Sequence, residues 1–120
     1  MLNHLVIRRS EWLRGQLVNS CLLRGDGRRC CVGIYLAAVG VPDPILRPGK
    51  SIGTAAQLDT PKYAYPDEAR WLSEDFYKNS PIANELYEAN DDPAFDQLSR
   101  EARIAELFAR QGITVQFTDE

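Results

Sequence analysis

The groups in this chain best placed to do chemistry are the adjacent thiols Cys30 and Cys31, the single imidazole of His4, and the three guanidiniums of Arg24, Arg28 and Arg29. Cys31 falls in the first turn of an expected helix, where the helix dipole and the neighbouring Arg28 and Arg29 would favour a thiolate. A nucleophilic cysteine also needs a base held in turn by a third group. His4 is the only histidine and lies upstream, so the enzymatic alternative is a cysteine hydrolase built on Cys31 and His4. The competing expectation, and the one preferred, is that the paired thiols are buried and structural and that the chain is not an enzyme.

The three arginines surround the turn Gly25-Asp26-Gly27 just ahead of a helix start. Exposed amide groups, dipole and guanidiniums together would attract a small anionic or phosphorylated ligand there. The tripeptide Arg24-Gly25-Asp26 also spells an adhesion motif, taken here as coincidence. Adjacent cysteines cannot readily reach one tetrahedral ion, and no CxxC or HxxxH spacing occurs, so no metal or other cofactor is expected. Pro48-Gly49-Lys50-Ser51 has the ending of a phosphate-binding loop, but its first glycine would fall at Pro44 and it follows a helix end.

The charge totals conceal an asymmetry. The chain carries a formal net charge of −3, yet residues 1–50 hold eight Lys/Arg against three Asp/Glu, and residues 51–120 hold six against fourteen. The overall sign argues against general nucleic-acid binding. The acidic half offers a face for a basic partner, centred on Glu85, Glu88, Asp91, Asp92 and Asp96.

These groups must be positioned by a single domain, because 120 residues with 44% hydrophobic content suffice for one core without crosslinks. The expected fold is α+β: mainly helical, with a small antiparallel sheet made by the turn region 21–31 and a C-terminal strand at 113–117. Its centre should be the helix after Cys30, because Cys31, Val32, Ile34, Tyr35, Leu36, Ala37, Ala38 and Val39 leave no polar stripe. Gly40 and Pro42 end it. Before it, Ser10 and Glu11 suggest the start of an amphipathic helix reaching about Leu22, with residues 4–8 a short strand.

Pro42 to Pro66 is a long proline-containing connection that would be either a lid or a wrap over the core. Pro66 suits the first turn of a helix in which Ala69, Leu72 and Phe76 share a face, flanked by Trp71. Ser80-Pro81 opens another, which Asp91 and Asp92 should stop before capping the last helix near Pro93. That helix should run to Gln111 and Gly112, after which Ile113, Val115 and Phe117 alternate with Thr114, Gln116 and Thr118 as a strand. The strand could pair with residues 4–8 or with the limbs of the turn around Gly25-Asp26-Gly27, and the latter is favoured. No apolar run is long enough to span a bilayer and the start lacks the order of a signal peptide, which places the protein in a cytoplasm.

Cys31, Gly33 and the apolar helix ending in Gly40-Val41-Pro42 superficially resemble the cysteine motif of NlpC/P60-like peptidases, which place their histidine downstream, where this chain has none. A broader likeness rests on Trp12 to Gly15 (WLRG), Leu22-Leu23, Cys30-Cys31-Val32-Gly33, Ala69 to Leu72 (ARWL), Asn90-Asp91-Asp92, and Arg103 to Phe117. These resemble a family of small proteins encoded by tailed bacteriophages and prophages, marked by a CCLG-like tetrapeptide and a final helix running into a strand. Position 32 departs from it, with valine for leucine. The resemblance implies origin and the host bacterial cytoplasm, and lends no catalytic residue. Small acidic phage proteins often bind and inhibit a host factor, including a defence system, so an accessory protein acting in that way is the leading expectation. Binding of a small phosphorylated ligand at Arg24, Arg28 and Arg29 is the alternative, and self-association is left open.

Overall fold

A computed structural model of the chain describes residues 2–14, 24, 26–42, 46, 67–72 and 81–119. Strand β1 (His4–Arg8) is followed by helix α1 (Cys31–Ala38), a 3-10 segment (Asp67–Leu72), helices α2 (Pro81–Asp91) and α3 (Gln97–Ala109), and strand β2 (Thr114–Thr118). The α+β class and the C-terminal strand agree with the sequence reading.

The sheet does not. β1 pairs with β2 and the pairing is parallel, His4 opposite Thr114 through Arg8 opposite Thr118. Two strands at opposite ends of the chain need no tight hairpin, and the helical body between them acts as the crossover that a parallel pair requires. Leu5 and Ile7 are buried while His4, Val6 and Arg8 face outward. On β2 the expected alternation holds: Val115 and Phe117 pack against the core, and Thr114 and Gln116 are exposed.

The turn region expected to pair with β2 is used elsewhere. Gly27, at φ 88°, turns the chain so that the Arg24 N–H donates to the Arg28 carbonyl at 2.7 Å. The following limb bridges to residues 11–13: the Arg29 N–H donates to the Glu11 carbonyl at 3.0 Å and the Leu13 N–H to the Arg29 carbonyl at 2.8 Å. These bonds explain why no helix starts at Ser10. Residues 9–11 form a turn and Trp12 lies in the bridge; the remainder of that expected helix, 15–22, lies outside the described residues.

α1 is enclosed over most of its surface, with Cys31, Val32, Gly33, Tyr35 and Leu36 buried, Ile34 and Ala37 half-buried and Ala38 exposed at its end. It ends in a left-handed turn at Gly40, φ 97°, where the Gly40 N–H donates to the Ala37 carbonyl and the Val41 N–H reaches back to that of Leu36. α3 leaves through the same double bond pattern at Gly112, φ 76°, with Gly112 bonded to Ala109 and Ile113 to Phe108. Both are Schellman exits, which satisfy the orphan carbonyls of a last turn.

Residues 67–72 form a 3-10 segment, with Ala69 and Leu72 buried; Phe76 lies outside the described residues. α2 opens at Pro81 as expected. α3 starts at Gln97 and not near Pro93, because Asp96 is its cap, accepting from the Ser99 N–H at 2.8 Å. Asp92 instead folds the connection, its Oδ1 accepting from the Ala94 N–H at 2.8 Å. Tyr35, Trp71 and Phe108 pack with ring centroids 5.4 to 5.8 Å apart, and the Tyr35 hydroxyl donates to the Glu68 carbonyl at 2.6 Å. Whether 42–66 is a lid falls almost entirely outside the described residues. No helix among them is long and apolar enough to cross a membrane.

Candidate functional site

The polar centre of the molecule is Asn90, which is fully buried near the end of α2. Its Oδ1 accepts from the Trp12 indole N–H at 2.7 Å and from the Cys31 N–H at 3.0 Å. Its Nδ2 donates to the Leu13 carbonyl and to Asp91 Oδ1, both at 2.9 Å. One amide therefore uses two acceptor and two donor positions to hold the 12–13 segment and the first turn of α1 onto α2. Trp12 and Leu13, Cys31, and Asn90 with Asp91, drawn from three of the segments that carry the resemblance, meet here.

Cys31 is bound into this centre. It is 0% exposed, with Sγ 3.9 Å from the Leu86 carbonyl oxygen. Burial pushes its thiol well above the ordinary range, and the neighbouring Cys30 and Asp91 push it further. These outweigh the dipole expected to favour a thiolate. His4 stands on the exposed face of β1, with Nε2 3.2 Å from Gln116 Oε1. The fold gives Cys31 and His4 separate environments and does not assemble them as nucleophile and base.

The three turn arginines are divided. Arg24 makes a two-point contact with Asp26, and Arg28 approaches the same carboxylate at 3.9 Å and donates its backbone N–H to it at 3.0 Å. Arg29 is half-buried on the strand bridge. Arg28 instead shares a cleft of about 420 Å³ with Arg14 and Arg100. Neither of those two was selected from sequence. Arg100 carried a signal, since it lies four residues before Ile104 on the buried stripe of α3, where an apolar residue would be expected.

The acidic residues do gather around α2, the connection and the start of α3, but most have local work. Glu85 pairs with Arg103 at 3.7 Å and Arg110 at 3.6 Å, Asp91 accepts from Asn90, and Asp92 and Asp96 cap backbone N–H groups. Glu88 is exposed, and with Glu85, Phe95 and Arg103 it lines a depression of about 300 Å³. Among the described residues no group of three or more His, Cys, Asp or Glu side chains is placed to hold a metal ion. Comparison with protein-family models, with curated proteins and with solved structures found no match.

Proposed function

We propose that the chain is a small phage-type accessory protein that acts by binding a host protein, with inhibition of a defence factor as the natural outcome, and that the contact surface is the acidic depression between α2 and α3. The observation that carries this reading is Glu88. It projects from α2 beside Glu85 and Phe95, and makes no side-chain ion pair or hydrogen bond among the described residues. A basic side chain of a partner would find the Glu88 carboxylate, Phe95 and depth together, with Arg103 on the same lining already paired to Glu85. Leu98, in the first turn of α3, is 82% exposed and adds an apolar contact close in sequence to Asp96. Such a surface speeds and selects association.

Reversing all five acidic residues would remove two caps and an ion-pair cluster, so the test uses Glu88→Lys with Leu98→Asp, which disturb neither. The wild-type protein and this double variant are used to capture partners from host lysate, with mass spectrometry as the readout. The expected result is a protein retained by the wild type, released by added salt, and lost with the variant. Equal recovery by both, or nothing retained above a control, overturns the assignment.

A further inference from the structure

Arg14, Arg28 and Arg100 come from three separate parts of the chain and line one cleft, whose remaining walls include Trp12, Pro93 and Phe95. Arg100 is only 5% exposed. Its Nε donates to the Ala89 carbonyl at 3.1 Å and its Nη2 to the carbonyls of Asp92 and Phe95. Carbonyl dipoles fix the plane of this guanidinium, and among the described residues it makes no ion pair, Asp96 acting on it only through space. A buried charge in that condition is costly.

Arg14 lies over the Trp12 ring, 4.8 Å from its centroid, and is held by Gln97 and by the carbonyls of Arg9 and Trp12. Its proton affinity is lowered, first by burial and then by repulsion from Arg100, Arg9 and Arg28, against an opposing pull from Glu101. Carboxylates whose charge acts on the cluster are already engaged, Asp96 by the Ser99 N–H and hydroxyl. Glu101 is gripped by Arg9 at 2.9 and 2.8 Å, and Asp26 makes its two-point contact with Arg24. The described lining of the cleft thus holds three guanidiniums and no carboxylate, and their planar donors match oxyanions.

We propose that this cleft binds the phosphate group of a small phosphorylated ligand, with Arg28 and Arg100 as its principal contacts, Arg14 as a third, and Phe95 and Pro93 beside the rest of the molecule. Several oxygens and up to two charges let one phosphate answer more than one guanidinium and offset more of their charge than a single carboxylate can. The volume lies within the usual range of small-molecule sites. The site moves the anion expected at the turn to a different set of arginines, of which only Arg28 is common to both. It is independent of the acidic docking surface, although Phe95 borders both.

Titration calorimetry with pyrophosphate, ATP and succinate tests it. Arg28 suits substitution because its side chain is 53% exposed, so its loss should leave the fold intact. Wild-type protein should bind pyrophosphate and ATP, more weakly as salt rises from about 50 to about 200 mM. Arg28→Ala should weaken both by about tenfold or more, the loss expected for a charge-assisted contact, and Arg28→Lys should recover part. Similar affinity for the two phosphates locates recognition in the phosphate groups, and tighter ATP adds a contact to its nucleoside; both outcomes support the site. Failure of the wild type to bind either at up to about 10 mM, equal affinity for succinate, or unchanged binding by Arg28→Ala overturns it.

Discussion

Asn90 shows how much a single buried amide can organise. Replacing it with alanine strands the Trp12 indole N–H, the Cys31 N–H and the Leu13 carbonyl at once, inside a core that water does not reach. Each orphaned group costs about 1–3 kcal/mol, so Asn90→Ala should lose about 3 kcal/mol or more of stability in urea unfolding. Asn90→Asp tests the direction of the donors. It keeps an acceptor for Trp12 and Cys31 but opposes an ionised oxygen to the Leu13 carbonyl and Asp91, so it should be most destabilised above the carboxylate range and partly recover in acid. Equal stability of wild type and Asn90→Ala would remove the amide from its central role. The thiols beside it make a kinetic prediction. In a Cys21→Ser background, labelling of Cys30 and Cys31 by a thiol reagent should be slow in the native protein and rise with urea in step with unfolding, since both are 0% exposed.

Among the elements, helix ends were the most legible feature of the sequence. Gly40 and Gly112 each stand where left-handed backbone is needed, and a glycine following an apolar stretch is a local signal that tertiary contacts seldom overrule. The period-two run from Ile113 was equally plain, as was the opening of α2 at Pro81. Starts were harder to read, because Asp92 and Asp96 both suit a cap and only the chain path decides that Asp96 meets Ser99. Capping holds the Asp96 carboxyl below its ordinary value, first through the Ser99 N–H and then through its hydroxyl. A depressed folded-state value means the contribution is present above the unfolded value near pH 4 and is lost as the pH falls through the lower one. Asp96→Ala should therefore lower the melting temperature at neutral pH, with the difference from wild type shrinking in acid. A constant difference across the acid range would rule out the ionised cap. The helix read at Ser10, the antiparallel pairing and the arginine cleft were illegible for one physical reason: each depends on segments distant in the chain finding one another. Residues 12–14 are extended because Arg29 and Asn90 hold them, and Arg14 and Arg100 become one site only when α3 packs against that segment.

For the whole molecule, the decisive contact joins the two ends of the chain. β1 has β2 as its paired strand, the Arg9 N–H donates to the Thr118 carbonyl at 2.8 Å, and the Arg9 side chain spans Glu101 and Asp119. Leu5 and Ile7 are buried on the core side of this pair. Ile7→Ala, which empties a fully buried site, should cost about 2–5 kcal/mol. Removing residues 114–120 should do more, since β1 loses its hydrogen-bonded neighbour while Val115 and Phe117 leave the core margin; the truncated chain should show no cooperative urea transition. Acid should loosen the same clasp. Glu101 is held below the ordinary glutamate value chiefly by Arg9, with Gln97 assisting, so its contribution is complete above the unfolded value near pH 4.3 and fades as the pH drops through the lower folded one. Glu101→Gln should be less stable than wild type at pH 7 and converge with it in strong acid. If that variant matched wild type at neutral pH while the truncation still unfolded cooperatively, the ends would be attachments to an independently stable helical body. The strand pairing, with five residues from each of β1 and β2, would then be a consequence of folding, not one of its supports.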